Sequence, residues 1–194
     1  MHLNYKIKYE EILKISDKLK SNLINLKNIT YIRGDLKDLK LKFFLFGNTS
    51  SNTEVYFSID ESRRQHFYSS MVDSTSKIIL SESKIKVKVY FSCETGLDRY
   101  RIITKTHFKG VQGCILNFYM GDKSSFEVIS RNIKTIFDLK IPFAILAKKN
   151  GQEIDDSTLQ SYISKYGTKV FYYDDNNKEG IFDAAGYVAE AYFK

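Results

Sequence analysis

The chain has 194 residues, 43% of them hydrophobic, with 14 Tyr and 14 Phe but one proline and 10 glycines. That composition supports one domain with a substantial core and excludes a disordered or low-complexity chain. The net charge is +7. No apolar run approaches the ~20 residues of a membrane span, and the polar start MHLNYKIKYEE is no signal peptide, so a soluble cytosolic protein is expected.

Residues 1–42 carry nine Lys and one Arg against five acids (Glu10, Glu11, Asp17, Asp35, Asp38), a net +5 that holds most of the excess. Ile12, Ile15, Leu19, Leu23 and Leu26 recur at spacings of three and four, which predicts an amphipathic helix over 9–26. A basic helical extension over 1–38 suits acidic lipid or an acidic partner, and equally a solvated lysine-rich face. Residues 39–46 read as a buried strand. The stretch FLFGNTSSNTEVYF (44–57) then has the outline of a phosphate-binding loop, strand, glycine, small polar residues, helix. The pattern G-x-x-x-x-G-K-[ST] requires glycine, lysine and a hydroxyl where this chain has Asn52, Thr53 and Glu54.

A helix is expected over 53–65, then strands over 76–80 and 84–91. The second of these alternates Lys84, Lys86 and Lys88 with Ile85, Val87 and Val89, which predicts one wet face at or near a sheet edge. GCILNFYM (113–120) and IPFAILAK (141–148) are apolar runs of the kind found in central parallel strands. Helices over 124–140 and 156–166, a strand over 168–174 and a closing helix over 181–194 complete a mostly parallel, doubly wound α/β sheet. Cys93 and Cys114 lie in strand-like segments and are expected to be buried, reduced thiols. His2, His66 and His107 show no ligand spacing. No metal centre is expected from them. A pI of about 9.2 and many aromatics, without a recognition motif, do not argue for nucleic acid.

The segment GLDRYRIITKTHFKGVQGCILNFYMGDKSSFEVI (96–129) resembles a Ras-superfamily GTPase of the Rab branch. Arg99, Tyr100, Arg101, Ile103, Thr104, Phe108, Gly110, Gly113, Leu116, Asp122, Ser125 and Phe126 fall in register with that family's pattern. The order of elements over 39–194 fits as well. The resemblance implies a single G domain over 39–194, a mostly parallel six-stranded sheet with helices on both faces, of the P-loop NTPase kind. It also implies candidate nucleotide-binding positions at Gly47, Asn52, Thr53, Glu54, Ser70, Gly96, Lys148 and Asn150.

The family's nucleotide-facing residues are mostly replaced. Thr53 stands where the phosphate lysine is expected and Glu54 where a hydroxyl would hold Mg²⁺. The D-x-x-G motif reads Cys93-Glu94-Thr95-Gly96, and Leu97 occupies the place of the glutamine that orients water, so hydrolysis by the family mechanism is not expected. Ser70 matches the switch threonine. The guanine-reading motif reads Ala147-Lys148-Lys149-Asn150, with only Lys148 kept, and the third base-side loop reads Asp175-Asn176-Asn177. The chain ends in EAYFK without a terminal cysteine, so no prenyl anchor is expected.

These readings lead to a Rab-like pseudoGTPase without a cofactor, acting in membrane traffic through partner proteins. Effectors or complex subunits would meet the switch and inter-switch surface over 68–110, with Phe91, Tyr100 and Phe108 as candidate contacts. The alternative is a genuine, divergent switch that binds GTP and GDP with Mg²⁺. Peripheral membrane contact would come through a partner or the basic extension.

Overall fold

The computed structural model describes residues 39–62, 72–80, 86–94, 108–149 and 156–194. The helix expected over 9–26 lies outside them, as do Ser70, Gly96, Leu97, Tyr100 and Asn150. Among the described residues six strands and four helices follow in chain order: β1 (Lys40–Phe46), α1 (Thr49–Ile59), β2 (Val72–Leu80), β3 (Lys86–Glu94), β4 (Gly113–Tyr119), α2 (Lys123–Asp138), β5 (Phe143–Lys148), α3 (Asp156–Tyr166), β6 (Val170–Tyr173) and α4 (Glu179–Phe193).

The strands form one sheet in the order β2-β3-β1-β4-β5-β6. Only β2 runs antiparallel to its neighbour; the remaining pairs are parallel. β4 and β5 are buried along almost their whole length, as their apolar runs require between two helical layers. β3 stands one place in from the edge and β2 is the edge strand, longer than expected because Val72–Ser76 extends the pairing.

Alternation along β1 and β3 splits the core in two. Leu41, Phe43, Leu45, Val87, Val89, Phe91 and Cys93 face α1 and α4, whose Val55, Tyr56, Ala185 and Val188 cover them. Phe44, Phe46, Cys114, Leu116 and Phe118 face α2 and α3 on the other side. Among the described residues no helix is long and apolar enough to cross a membrane.

α2 shows how sequence sets an element here. Ile129, Ile133 and Ile136 fall on one buried stripe, and Asp122 starts the helix by accepting from the Ser125 amide at 3.2 Å. The Ser124 hydroxyl and the Ser125 amide hold the Asp122 carboxyl below its ordinary range, against a smaller opposing effect of burial. Asp122→Ala is expected to cost about 1 kcal/mol, the usual value of such a cap, or a fall in Tm of about 2–4 °C. Because the carboxyl is lowered in the folded state, its contribution is present above the unfolded value and fades as pH falls through the folded one. A thermal melt of wild type and variant at neutral pH and at about pH 3 checks both the size and the sign.

Candidate functional site

The carboxyl ends of parallel strands, at the point where the chain crosses from one side of the first strand to the other, form the usual crevice of an open α/β sheet. Here that point lies at the end of β1, flanked by β3 on one side and β4 on the other. Gly47 follows β1 and Asn48 caps α1, which begins at Thr49. The side chain of Asn48 accepts from the Ser51 amide at 2.8 Å, and its carbonyl accepts from the Asn52 amide at 2.9 Å. The residues expected to form a loop are therefore the first turn of a helix, and the helix expected over 53–65 runs over Thr49–Ile59 instead. Asn48 is the signal for this: an Asn ahead of a polar run is a strong helix cap.

Gly47 is held by close approach. A Cβ there would lie 2.2 Å from the backbone oxygen of Asn117 and 2.6 Å from the Ser51 hydroxyl. Asn117 is fully buried in β4, and its amide donates to Asn52 Oδ1 at 2.9 Å. Asn52 in turn donates to the Gly47 carbonyl at 3.3 Å. Thr53 turns its hydroxyl onto the Thr49 carbonyl at 2.7 Å. Three of the positions expected to face phosphate are thus tied into the helix start and β4.

Glu54 and Lys148 meet. The Lys148 ammonium lies 2.7 Å from Glu54 Oε1 and 2.7 Å from Asp175 Oδ1. The Tyr119 hydroxyl, from the end of β4, donates to Glu54 Oε2 at 2.9 Å. Burial opposes the charge on Lys148, but the hydrogen bonds from its ammonium to Asp175 and Glu54 outweigh it and raise the amine above its ordinary 10.5. For the Tyr119 phenol burial acts in the opposite sense: burial first, then the bond to Glu54, pushes it up. The loop beyond β6 is fixed by Asp174, whose carboxylate accepts from the amides of Asn176 at 2.8 Å and Asn177 at 2.7 Å. A cavity of about 430 Å³ lies outside this clasp, lined by Thr49, Thr53, Glu54, Asp175 and Lys178 among others.

One lysine between two carboxylates leaves the trio with a net charge of −1. A phosphate brought to ~4 Å from an unbalanced carboxylate meets about 4 kcal/mol of repulsion at an effective dielectric of 20. In this arrangement the clasp offers a bare phosphate no free cation of its own. The candidate lysine faces carboxylates, and the amides of Ser51 and Asn52 are already bonded.

Phe91 and Phe108, expected at a partner surface, are core residues. Phe91 shares the inner parity of β3 with Val87, Val89 and Cys93, and packs edge-on against Phe43 at 6.1 Å. Phe108 packs on Phe44 at 5.7 Å beneath the second helical layer. Cys93 and Cys114 are buried thiols with no disulfide. Asn117, Tyr119 and Asp175 carry much of the site, and sequence reading left the first two out. Asn117 is the polar interruption of an apolar strand, which is the signal that marks it.

The six-stranded sheet with its strand–turn–helix at β1 has the fold of a P-loop GTPase G domain. No family model matches the chain. It is 31% identical over 65 residues to the Ras-related protein Rab-25 of Canis lupus familiaris, covering 34% of this chain and 30% of that one. To the Ras-related protein Rab-40A-like of Homo sapiens it is 30% identical over 103 residues, 51% of this chain and 36% of that protein. The matched part of the chain thus spans about a third of the length of these curated relatives. These similarities support a Rab-like member of the Ras superfamily.

Proposed function

We propose that this protein is a Rab-like pseudoGTPase that acts in membrane traffic as a binding module for effector or complex-subunit proteins. The observation that carries the reading is the helix start at Thr49: residues 49–52 are wound into α1 and Lys148 is engaged by Glu54 and Asp175. The scaffold then stands without nucleotide, and its function lies in its surfaces. Hydrolysis by the family mechanism is absent in this reading, since Leu97 cannot hold a water by hydrogen bonds. Partners meet the inter-switch strands β2 and β3.

The second reading is a divergent switch that binds guanine nucleotide with Mg²⁺. It draws on the similarity to Rab proteins and on the cavity beside α1. It requires Lys148 to leave both carboxylates and the first turn of α1 to unwind.

The test is the nucleotide content of gently purified protein, followed by thermal melts with GDP, GTP and XTP plus Mg²⁺. Protein empty of nucleotide, with no shift from any of the three, is the expected result. Near-stoichiometric guanine nucleotide would sink the proposal. So would a rise in Tm, since ligand at 100 times its Kd adds about 2.7 kcal/mol.

A further inference from the structure

A second cavity, of about 570 Å³, lies where β5 and β6 begin. That is the opposite end of those strands from Lys148 and Asp175. Ligand sites of open α/β sheets gather at the carboxyl ends of the strands, so the fold does not account for this one. Its walls come from the end of α2, the entry to β5, the turn after α3 and the last turns of α4.

The walls are aromatic. Tyr166 stands among them, its ring centre 5.3 Å from that of Phe137 and 6.4 Å from that of Phe143, both edge-on. Tyr187 closes the α4 side, where its hydroxyl donates to the Gly167 carbonyl at 3.5 Å. Phe137 is 46% exposed, one of three large hydrophobic residues left so open among the described residues. It stands next to the buried stripe of Ile129, Ile133 and Ile136 but outside it. A cavity of this size falls in the usual range of small-molecule sites, roughly 300–1,000 Å³.

The charges around it are lopsided. Asp138 is the one acid among the described wall residues, and Lys134 answers it at 2.6 Å. Lys140 is part of the wall. Lys165 lies over the Tyr166 ring at 5.3 Å and Lys169 over the Tyr187 ring at 5.3 Å. None of these three makes an ion pair with a described residue. Four lysines against one aspartate leave the surroundings at +3.

Lys140 is held there against its backbone preference. Its φ is 56°, the left-handed region, just past the helix cap at Leu139, where glycine is the usual residue. A lysine at that position keeps a cation on the wall at a conformational cost that glycine would avoid.

Aromatic walls suit either an organic cation on the ring faces or a flat apolar body. Ammoniums already lie over the rings of Tyr166 and Tyr187, so a further cation is repelled and an anion is drawn in. We propose that this cavity binds a small aromatic anion, one or two rings carrying a carboxylate, sulfonate or phosphate. The rings lie against Phe137, Tyr166 and Tyr187, and the anionic head faces the lysines. The site is separate from the clasp and does not depend on whether nucleotide binds.

The test is a fluorescence titration of the full, folded chain with 1-anilinonaphthalene-8-sulfonate, beside its uncharged parent N-phenyl-1-naphthylamine. Wild type is expected to bind the sulfonate saturably, more tightly than the neutral probe, and less tightly as salt rises. Lys140→Gly removes one ammonium and suits the left-handed backbone. It is expected to weaken the sulfonate by up to about fivefold, the reach of an exposed charge pair. Binding of the neutral probe and Tm should be undiminished. The variant K140G/K165Q/K169Q is expected to bring the sulfonate down to the affinity of the neutral probe. Ala191→Trp, which puts a bulky ring into the wall, is expected to abolish both. Absence of saturable sulfonate binding by wild type would overturn the proposal. So would sulfonate binding unmoved by the triple change or by a folded Ala191→Trp, since the probe would then sit elsewhere. Equal losses of both probes in Lys140→Gly would overturn it too, by showing that the lysine shapes the wall and does not meet the charge. Should Ala191→Trp misfold, the two lysine variants decide.

Discussion

Lys148→Ala is expected to lower Tm by about 4–8 °C. The Lys148 side chain is 13% exposed and that of Glu54 28%, while Asp175 is 80% exposed. The pair with Glu54 therefore lies between a surface ion pair, worth about 0–1 kcal/mol, and a buried one whose breaking costs about 3–5 kcal/mol. A loss of about 2 kcal/mol follows, and in a domain of this size each kcal/mol moves Tm by about 2–4 °C. The cause is the stranded carboxylate of Glu54, which keeps its bond from Tyr119 but loses its cation. Removing both partners, as in Lys148→Ala with Glu54→Ala, is then expected to cost less than the sum of the single changes by about 1 kcal/mol. Strict additivity in that cycle would mean the Lys148–Glu54 pair contributes nothing. The pH dependence has a definite sign. Lys148 is raised in the folded state, so its contribution is complete below the ordinary lysine value of 10.5 and is lost as pH climbs through the higher folded value. The difference in Tm between wild type and Lys148→Ala should hold through neutral pH and shrink only in strong alkali.

Gly47→Ala is the more severe change. The added methyl would sit 2.2 Å from the Asn117 backbone oxygen, and a backbone atom of a central strand has little room to retreat. Overpacking of this kind costs about 1–3 kcal/mol and sometimes more. The upper end is expected, or roughly 6–12 °C. Adding Asn117→Ala and Ser51→Ala removes the side-chain contacts at 2.6 Å but leaves the backbone one, so it should not rescue the fold. Denaturant melts of the single and triple variants, with and without guanine nucleotide, test this. A glycine retained for phosphate alone would show near-normal stability and a defect confined to the ligand. One held by β4 shows the same large loss under both conditions.

The framework was legible in the sequence because burial on both faces leaves strands with little choice. GCILNFYM and IPFAILAK became β4 and β5 within two residues of where their apolar runs lie. The alternation of Lys86 and Lys88 with Val87 and Val89 gave the parity of β3. The β2 strand began four residues earlier than expected since Val72–Ser76 is mostly small and polar, and its pairing comes from β3 rather than from its own propensity. At the site, chain order showed that the phosphate and base residues were replaced but not what their side chains do instead. The start of α1 was hidden because Thr, Ser and Asn favour loops and helix caps over helix interiors, and tertiary contacts to Asn117 decide the case. Phe91, a candidate partner contact on the sequence, is fully buried, as its parity with Val87 and Val89 implies. The joining of Glu54, Lys148 and Asp175 is a product of sheet order. Residues from α1, β5 and the turn after β6 meet only once β1, β4, β5 and β6 stand side by side.

The two cysteines give this sheet a built-in clock. Cys93 is paired in register with Leu45, and Cys114 with Phe44, so the two thiols sit on the two strands that flank β1. Both are fully buried, and burial also pushes the Cys114 thiol up, away from its reactive anion. A thiol reagent can reach Cys93 when α1 and α4 lift from their side of the sheet, and Cys114 when α2 and α3 lift from theirs. The rate of modification at each thiol therefore reads out how often the helical layer above it opens. Comparing the two sites would tell which of the two half-cores opens first.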